Sequence, residues 1–347
     1  MLIEALVEQI KDHGSRQVPL RIEGGNSKAF YGRDIADLEP ISTKGLNQII
    51  SYEPSELVIR VQAGCSLREI NQVLLEKGQM LGFEPPDFGD STIGGAIASG
   101  IAGSRRPFAG AGRDFLLGLD LIDGQGEVFT FGGQVMKNVA GYDVSRLMAG
   151  ALGCLGLMTE VSLKVLPRPE YEQSAMKLVD RSELLGTMNE LSAMPEVSGL
   201  AWRQNQLYVR FSGSENTVNN RLSNFAGNDA TADFWRDLDS MALFSKSDRV
   251  WRVSTQAMDP GNLLEEADLI DWAGAQRWLV DTDHPESKVA PRIQTTGTAY
   301  TTLVKTGHNE TERFAPLASP VMALHRKLKS TFDPLGILNP NKMYEGI

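Results

Sequence analysis

The sequence contains no unbroken apolar run of the roughly 18 residues that a membrane-spanning helix requires. Its opening, MLIEALVEQIKDHG, has no basic segment of the kind that begins a secretory signal, and Glu4 and Glu8 interrupt its apolar positions. Leu2, Ala5, Leu6, Gln9 and Ile10 fall at helical spacing with Gly14 as a stop, which predicts an amphipathic opening helix of a cytoplasmic protein. Cysteine is scarce. Cys65 and Cys154 stand far apart, in apolar surroundings and in no CxxC pair. Buried free thiols are expected, and neither an iron–sulfur cluster nor a cysteine zinc site can be assembled within the chain. Basic charge is short as well, with 34 Lys and Arg against 44 Asp and Glu for a net charge of −10. Without a cationic excess to displace counterions, nucleic acid is an unfavourable partner.

Several signatures of catalysis and nucleotide binding are also missing. Gly110-Ala-Gly112 runs into Arg113, Asp114 and Phe115 without the third glycine of GxGxxG, which disfavours a Rossmann site. No GxxxxGK[ST], HExxH or GxSxG occurs, so a P-loop, a zincin and a nucleophile elbow are not indicated. The histidines, His13, His284, His308 and His325, are scattered, as structural or surface histidines are, and no metal site is expected.

What the chain does have is glycine in loops. At 347 residues, 41% hydrophobic, it can bury a full core and divide into two domains. Pro85-Pro86 introduces DFGDSTIGGAIASGIAGSRRPFAGAGRD, residues 87–114, which carries seven glycines. Each glycine costs about 0.5–1 kcal/mol in a helix relative to Ala, so the stretch is expected to avoid regular helix and to let backbone approach a ligand closely. Inward-turned N–H groups would suit a pyrophosphate; a glycine-rich surface loop or a tight strand crossing reads equally well. Val18–Ile22 predicts a strand running into Gly24, Gly25, Asn26, Ser27 and Lys28, either a phosphate-binding turn or an ordinary hairpin turn. A third small-residue stretch, 137–156, precedes a strand over Leu157–Leu166 that Pro167 and Pro169 end. Together the three stretches favour a nucleotide cofactor.

Between them, Asn47–Gly64 predicts two strands joined by a turn at Pro54-Ser55, the second alternating and ending at Gly64, and Ser66 with Glu69 predicts a capped helix over Leu67–Lys77. Leu116–Phe131 reads as a hairpin about Asp123–Gly126. Beyond Pro169 the glycines thin out and Trp first appears. A strand (Ser174–Val179), a helix (Ser182–Met194), two strands (Ser198–Arg203, Gln206–Ser212) and a helix (Glu215–Phe225) make a βαββα pattern. Strands are expected near 248–256, 276–280 and 291–305, then an amphipathic helix over Ser319–Phe332.

Six segments carry a family resemblance: GGNSK at Gly24–Lys28, VQAG at Val61–Gly64, STIGGAIASGIAG at Ser91–Gly103, KNVAGYD at 137–143, LGCLGLMTEVSLKVLPRP at Leu152–Pro169 and FDPLGILNPNKM at Phe332–Met343. In that order they resemble the flavoproteins that share the p-cresol methylhydroxylase-type FAD-binding domain, the vanillyl-alcohol oxidase superfamily. Within it, GGNSKAFYGR and the short chain are most similar to the GlcE-type subunits of glycolate dehydrogenases. The resemblance implies an α+β fold: an FAD-binding domain of two α+β subdomains (1–167), a cap or substrate-type α+β domain (168–310), and a tail (311–347) returning to the first. It implies non-covalent FAD, since no His or Cys stands at the turn where covalent members attach the flavin.

By the same resemblance, the backbone of Gly24–Lys28 and of Ser91, Thr92, Ile93, Gly94 and Gly95 would hold the pyrophosphate. Gly103, Gly110, Arg113 and Asp114 would line the flavin side, Pro85 and Ala98 would also lie along the cofactor, and Gly156 and Val161 would sit near its adenosine end. Asn339 and Lys342 would approach from the tail, although Gly336 and Pro340 also serve as a simple helix stop. No HxGDGNxH-like segment is present, which separates this chain from relatives that hold metal and substrate with such histidines. Arg252, Arg292 and His308 are candidates for substrate contact and equally for structural roles. The implied function is a 2-hydroxy-acid dehydrogenase subunit that works with a homologous FAD-linked subunit and an iron–sulfur subunit, meeting the membrane only through them. The alternative is a non-catalytic FAD-binding scaffold or electron relay.

Overall fold

Ser66 caps the helix Leu67–Glu76 as its spacing predicts, its hydroxyl accepting from Glu69 N–H at 3.1 Å. The same agreement between local signal and local structure runs through much of the computed structural model, which describes residues 2–133, 143–247, 249–261, 263–281, 299–305 and 312–347. The segment 137–142 of the KNVAGYD motif lies outside these residues, as do Arg292 and His308 and most of the strand expected near 291–305.

The chain divides into two compact units. The first comprises 1–101, 110–168 and 317–347, the second 102–109 and 169–316. Part of the glycine-rich stretch, Ala102–Ala109, is thus counted with the second unit, which a single boundary near Pro167 does not anticipate.

In the first unit a five-stranded antiparallel sheet runs in the order Ile49–Glu53, Val58–Gln62, Leu157–Lys164, Leu116–Ile122, Val128–Gly132. Beside it, Leu20–Glu23 pairs in parallel with Glu39–Ser42. The opening helix, Leu2–Arg16, buries Leu6 and Ile10 in a cluster with Leu20, Ile41, Ile122, Leu157, Ile337 and Leu338. Burial of each such side chain is worth about 1.5–3 kcal/mol, and the cluster fixes the end of the Leu20–Glu23 strand, from which the first glycine turn departs. The tail enters through the helix Ser319–Phe332, whose buried residue is Lys329 rather than an apolar stripe; Val321 and Leu324 are exposed. The Lys329 ammonium is anchored to Asp333 at 2.7 Å, to the Cys154 carbonyl at 2.8 Å and to the Leu338 carbonyl at 2.6 Å.

The expectation that the glycine-rich stretch avoids regular helix is corrected. Ile93–Ser99 is a helix that includes Gly94 and Gly95. Thr92 caps it, Gly100 ends it in the left-handed conformation, and a side chain at Gly94 would stand 2.8 Å from Ala63. Close packing against Ala63 selects glycine there despite its helical cost.

In the second unit the strand Tyr171–Leu178, helix Arg181–Ser192, strands Val197–Arg203 and Gln206–Gly213, and helix Glu215–Phe225 realise the βαββα pattern. Eight strands form its sheet among the described residues. Leu184, Met188, Trp202, Val209, Phe211 and Val218 share its core, and Trp202 Nε1–H donates to the Val179 carbonyl at 2.9 Å.

Candidate functional site

A cavity opens in the first unit. It is built where the turn after Leu20–Glu23 meets the turn before Ile93–Ser99. The turns meet closely: a Cβ on Gly25 would lie 1.3 Å from the Asp90 carbonyl oxygen, a backbone atom, and one on Gly24 2.4 Å from the Thr92 side-chain Oγ1. Only glycine permits that approach. The hydroxyls of Ser27 and Ser91 are 2.8 Å apart, and Ser91 Oγ also accepts from Lys28 Nζ at 2.8 Å and from Phe88 N–H at 3.1 Å.

The two turns differ in what they leave open. The N–H groups of Ile93, Gly94 and Gly95 are already given to the Cys65 carbonyl, the Ala63 carbonyl and Thr92 Oγ1. The expectation that this turn contributes them to a pyrophosphate therefore needs correcting: two tie the turn to the Ala63–Cys65 segment and the third caps the helix. By contrast, none of the N–H groups of Gly24, Gly25, Asn26, Ser27 and Lys28 donates a hydrogen bond among the described residues. Successive unengaged N–H groups on a loop lining a cavity are the chemistry of an anion cradle.

Lys28 supplies a cation at the same place. Its ammonium lies 5.5 Å from the centroid of the Phe88 ring, and no carboxylate is within ion-pair distance among the described residues. Burial lowers its pKa from the usual 10.5 to about 8, against the opposing pull of Asp87. A partly buried cation without a paired carboxylate favours an anionic ligand.

The tail runs beside the strand that leads into the cradle, Leu338 pairing with Leu20. Asn339 accepts from Ile22 N–H at 2.6 Å and donates to the Leu152 carbonyl at 2.7 Å. Lys342 Nζ donates to the carbonyls of Ala29 at 3.0 Å and Arg33 at 2.9 Å. Both residues line the cavity while holding together the chain segments around it.

Of the residues expected along a cofactor, Gly24–Lys28, Thr92, Gly94, Gly95, Ala98, Gly156, Asn339 and Lys342 line this one cavity. Ser91 reaches it through Ser27 and Lys28, whereas Pro85, Ile93, Gly110, Arg113 and Asp114 are not in its lining. Gly103 belongs to the second unit, where its carbonyl accepts from Trp272 Nε1–H at 3.2 Å. Val161 is buried in the sheet, paired with Val61 and Leu119. Arg252 lies half-buried on the strand Arg249–Ser254 of the second unit and has a partner there. The sequence reading missed Arg21, Glu23, Asp34 and Met158, which also line the cavity. The polar strand residues next to a glycine pair were the available signal for the first two.

The groups present fit a dinucleotide: a backbone cradle and a cation for phosphates, and apolar Ile22, Ile35, Leu152 and Met158 for flat organic surface. Among the described residues no cluster of three or more His, Cys, Asp or Glu could hold a metal ion, and no helix is long and apolar enough to cross a membrane.

Comparison with known proteins adds to this geometry. Residues 3–132 match a family described as an FAD binding domain. The chain is 40% identical over 345 residues to the glycolate oxidase subunit GlcE of Escherichia coli (strain K12), covering 98% of this chain and 97% of that protein. It is 34% identical over 137 residues to the glycolate oxidase subunit GlcD of Bacillus subtilis (strain 168), covering 40% of this chain and 29% of that one. Among solved structures, an alkyldihydroxyacetonephosphate synthase superposes with a TM-score of 0.68 at 16% identity, covering 98% of this chain and 76% of that one, a likeness of fold.

Proposed function

The chain belongs to the GlcE-type subunits of glycolate oxidase, within the p-cresol methylhydroxylase-type FAD-binding superfamily, and from that premise we propose that it is the FAD-binding subunit of a complex that oxidises a 2-hydroxy acid. The observation that carries the reading is the run of unengaged N–H groups at Gly24–Lys28, beside the unpaired Lys28 ammonium, on one cavity. Gly24–Lys28 binds the diphosphate of FAD, held without a covalent link. Asn339 and Lys342 keep the cradle's flanking segments in register, and Ile22, Ile35 and Met158 exclude water from it. When bound, FAD supplies the acceptor for hydride from the alcohol carbon of the substrate.

Electrons leave through an iron–sulfur partner subunit. Cys65 and Cys154 are buried, and burial pushes both thiols up to about 11, so neither is a metal-ready thiolate. A homologous FAD-linked subunit completes the complex, which meets the cytoplasmic face of the membrane through subunits other than this one. Gly110, Arg113 and Asp114 are assigned to the flavin side of the site, and Arg252, Arg292 and His308 remain the substrate candidates of this chain.

One sequence feature favours a second reading, in which the flavin here is a relay and the homologous subunit alone turns over substrate: no HxGDGNxH-like segment is present, and the histidines are scattered. The absorption spectrum of the purified chain, followed by anaerobic addition of glycolate, separates the two. Bleaching of the flavin by glycolate in this chain alone establishes independent turnover. A yellow, unresponsive chain that bleaches only once the homologous subunit is added establishes the relay. A chain that takes up no FAD refutes both.

A further inference from the structure

Arg21 and Glu23 sit on the strand that leads into the glycine turn, and both line the cavity. Their side chains are 19% and 21% exposed, and Arg21 Nη2 stands 3.0 Å from Glu23 Oε2. The pair is nevertheless incomplete. Glu23 Oε2 and Arg21 Nε are both buried and neither has a hydrogen-bond partner, the ion pair being out of hydrogen-bonding alignment. An unmet acceptor and an unmet donor, side by side on a cavity wall, leave the desolvation cost of two polar groups to be offset by whatever binds.

The two orphaned atoms define the group that answers them. A phosphate oxygen would accept from Arg21 Nε but would be repelled by the Glu23 carboxylate. An ammonium or amino group would donate to Glu23 Oε2 and leave Arg21 unmet. A hydroxyl is both donor and acceptor and completes the two together. The edge of a purine base also pairs donor with acceptor, but chain connectivity separates the cases. Glu23 directly precedes Gly24, the first residue of the phosphate cradle. In FAD the adenosine ribose and the flavin's ribitol are each joined directly to a phosphate with the ring systems further away, and Gly156, expected near the adenosine end, lines the same cavity, which favours the ribose.

We propose that Glu23, with Arg21, reads a ribose hydroxyl of the dinucleotide, Glu23 Oε2 accepting its proton and Arg21 Nε–H donating to its oxygen. The assignment rests on the FAD reading above and adds to it a residue that discriminates between ligands. The two acidic and basic side chains thereby act on the sugar, while the neighbouring main chain and Lys28 act on the phosphates.

Displacement of FAD from the full chain by ADP, 2′,3′-dideoxy-ADP and inosine diphosphate, followed by flavin fluorescence, tests this. In the unaltered protein dideoxy-ADP binds about tenfold more weakly than ADP, as loss of a hydrogen bond to a charged group requires, and inosine diphosphate stays within about twofold of ADP. In Glu23→Leu the affinity for ADP falls to that for dideoxy-ADP, within about twofold, while dideoxy-ADP itself is little changed. Equal displacement by ADP and dideoxy-ADP in the unaltered protein overturns the assignment whether or not the variant folds, and leaves the FAD reading standing. Discrimination against inosine diphosphate alone also overturns it, since the base would then be what is read. Failure of FAD itself to bind removes both readings at once.

Discussion

One polar network of the second unit and the cavity of the first treat their polar groups in opposite ways. In the network around Glu172 and Ser104, charge is closed upon itself. Glu172 takes hydrogen bonds from Arg105 and from Ser212, Arg210 donates to the Ser198 carbonyl at 2.9 Å, and Ser104 bonds both Asp239 and Asp271 at 3.2 Å. Burial alone would raise the Glu172 carboxyl, but Arg210, Arg105 and Ser212 outweigh it and hold the group below its usual range. All five tryptophans, Trp202, Trp235, Trp251, Trp272 and Trp278, are in this unit. The first unit does the reverse around its cavity: main-chain donors at Gly24–Lys28, the Lys28 ammonium and the Arg21–Glu23 pair stand incompletely answered. A satisfied network rigidifies, whereas an unsatisfied one at a cavity is free energy held for a ligand.

The largest effect on this contrast comes from closing the cradle. In Gly25→Ala the new Cβ meets the Asp90 carbonyl oxygen, a backbone atom with no rotamer to yield. FAD affinity falls by at least about 100-fold, measured by flavin titration, with circular dichroism to verify that the second unit is still folded. Next is the tail anchor. Lys329→Met leaves Asp333 buried without its cation, at a cost of about 3–5 kcal/mol in chemical denaturation.

A smaller effect tests the charge in the cradle. Lys28, with its pKa lowered to about 8, is protonated below that pH, and a bound diphosphate raises the pKa again. FAD affinity is therefore flat below about pH 8 and falls above it, by up to about tenfold per pH unit, while Lys28→Met shows no such fall. The ligand-free protein has the opposite trend from this group. Its unfolded state holds the proton up to about 10.5, so stability rises between pH 8 and 10.5. The smallest effect is in the other unit: Glu172→Gln lowers the unfolding temperature but changes FAD affinity by less than about twofold. A large loss of affinity there would erase the contrast between the units.

Much of this was legible in the sequence because the signals are local. The Ser66 cap, the strand at Leu157–Lys164 and the βαββα order depend on spacing and turn chemistry within a few residues. The turn at Gly24–Gly25 was visible as a turn, although its composition fits a phosphate-binding turn and an ordinary hairpin turn alike. What the sequence could not show is which N–H groups remain open. The turn at Ser91–Gly95 and the loop at Gly24–Lys28 look alike in composition, yet the first spends its donors on Ala63 and Cys65, some thirty residues away in sequence. Helix formation at Ile93–Ser99 was hidden for the same reason: packing of Gly94 on Ala63 outweighs local propensity. Arg21 and Glu23 were passed over because the first reads as ordinary strand alternation and the second as the residue that links strand to turn. Their unmet atoms appear only once the cavity wall is built.

The central claim is that the open donors at Gly24–Lys28 hold the diphosphate of a flavin dinucleotide. Its most direct test is to denature the purified full chain and determine the mass and amount of the cofactor released, with reconstitution by added FAD if the chain is isolated without it. The account predicts FAD, intact and at about one per chain, with nothing left attached to the polypeptide. A colourless protein that takes up no FAD, or a chain that releases FMN alone, would contradict it.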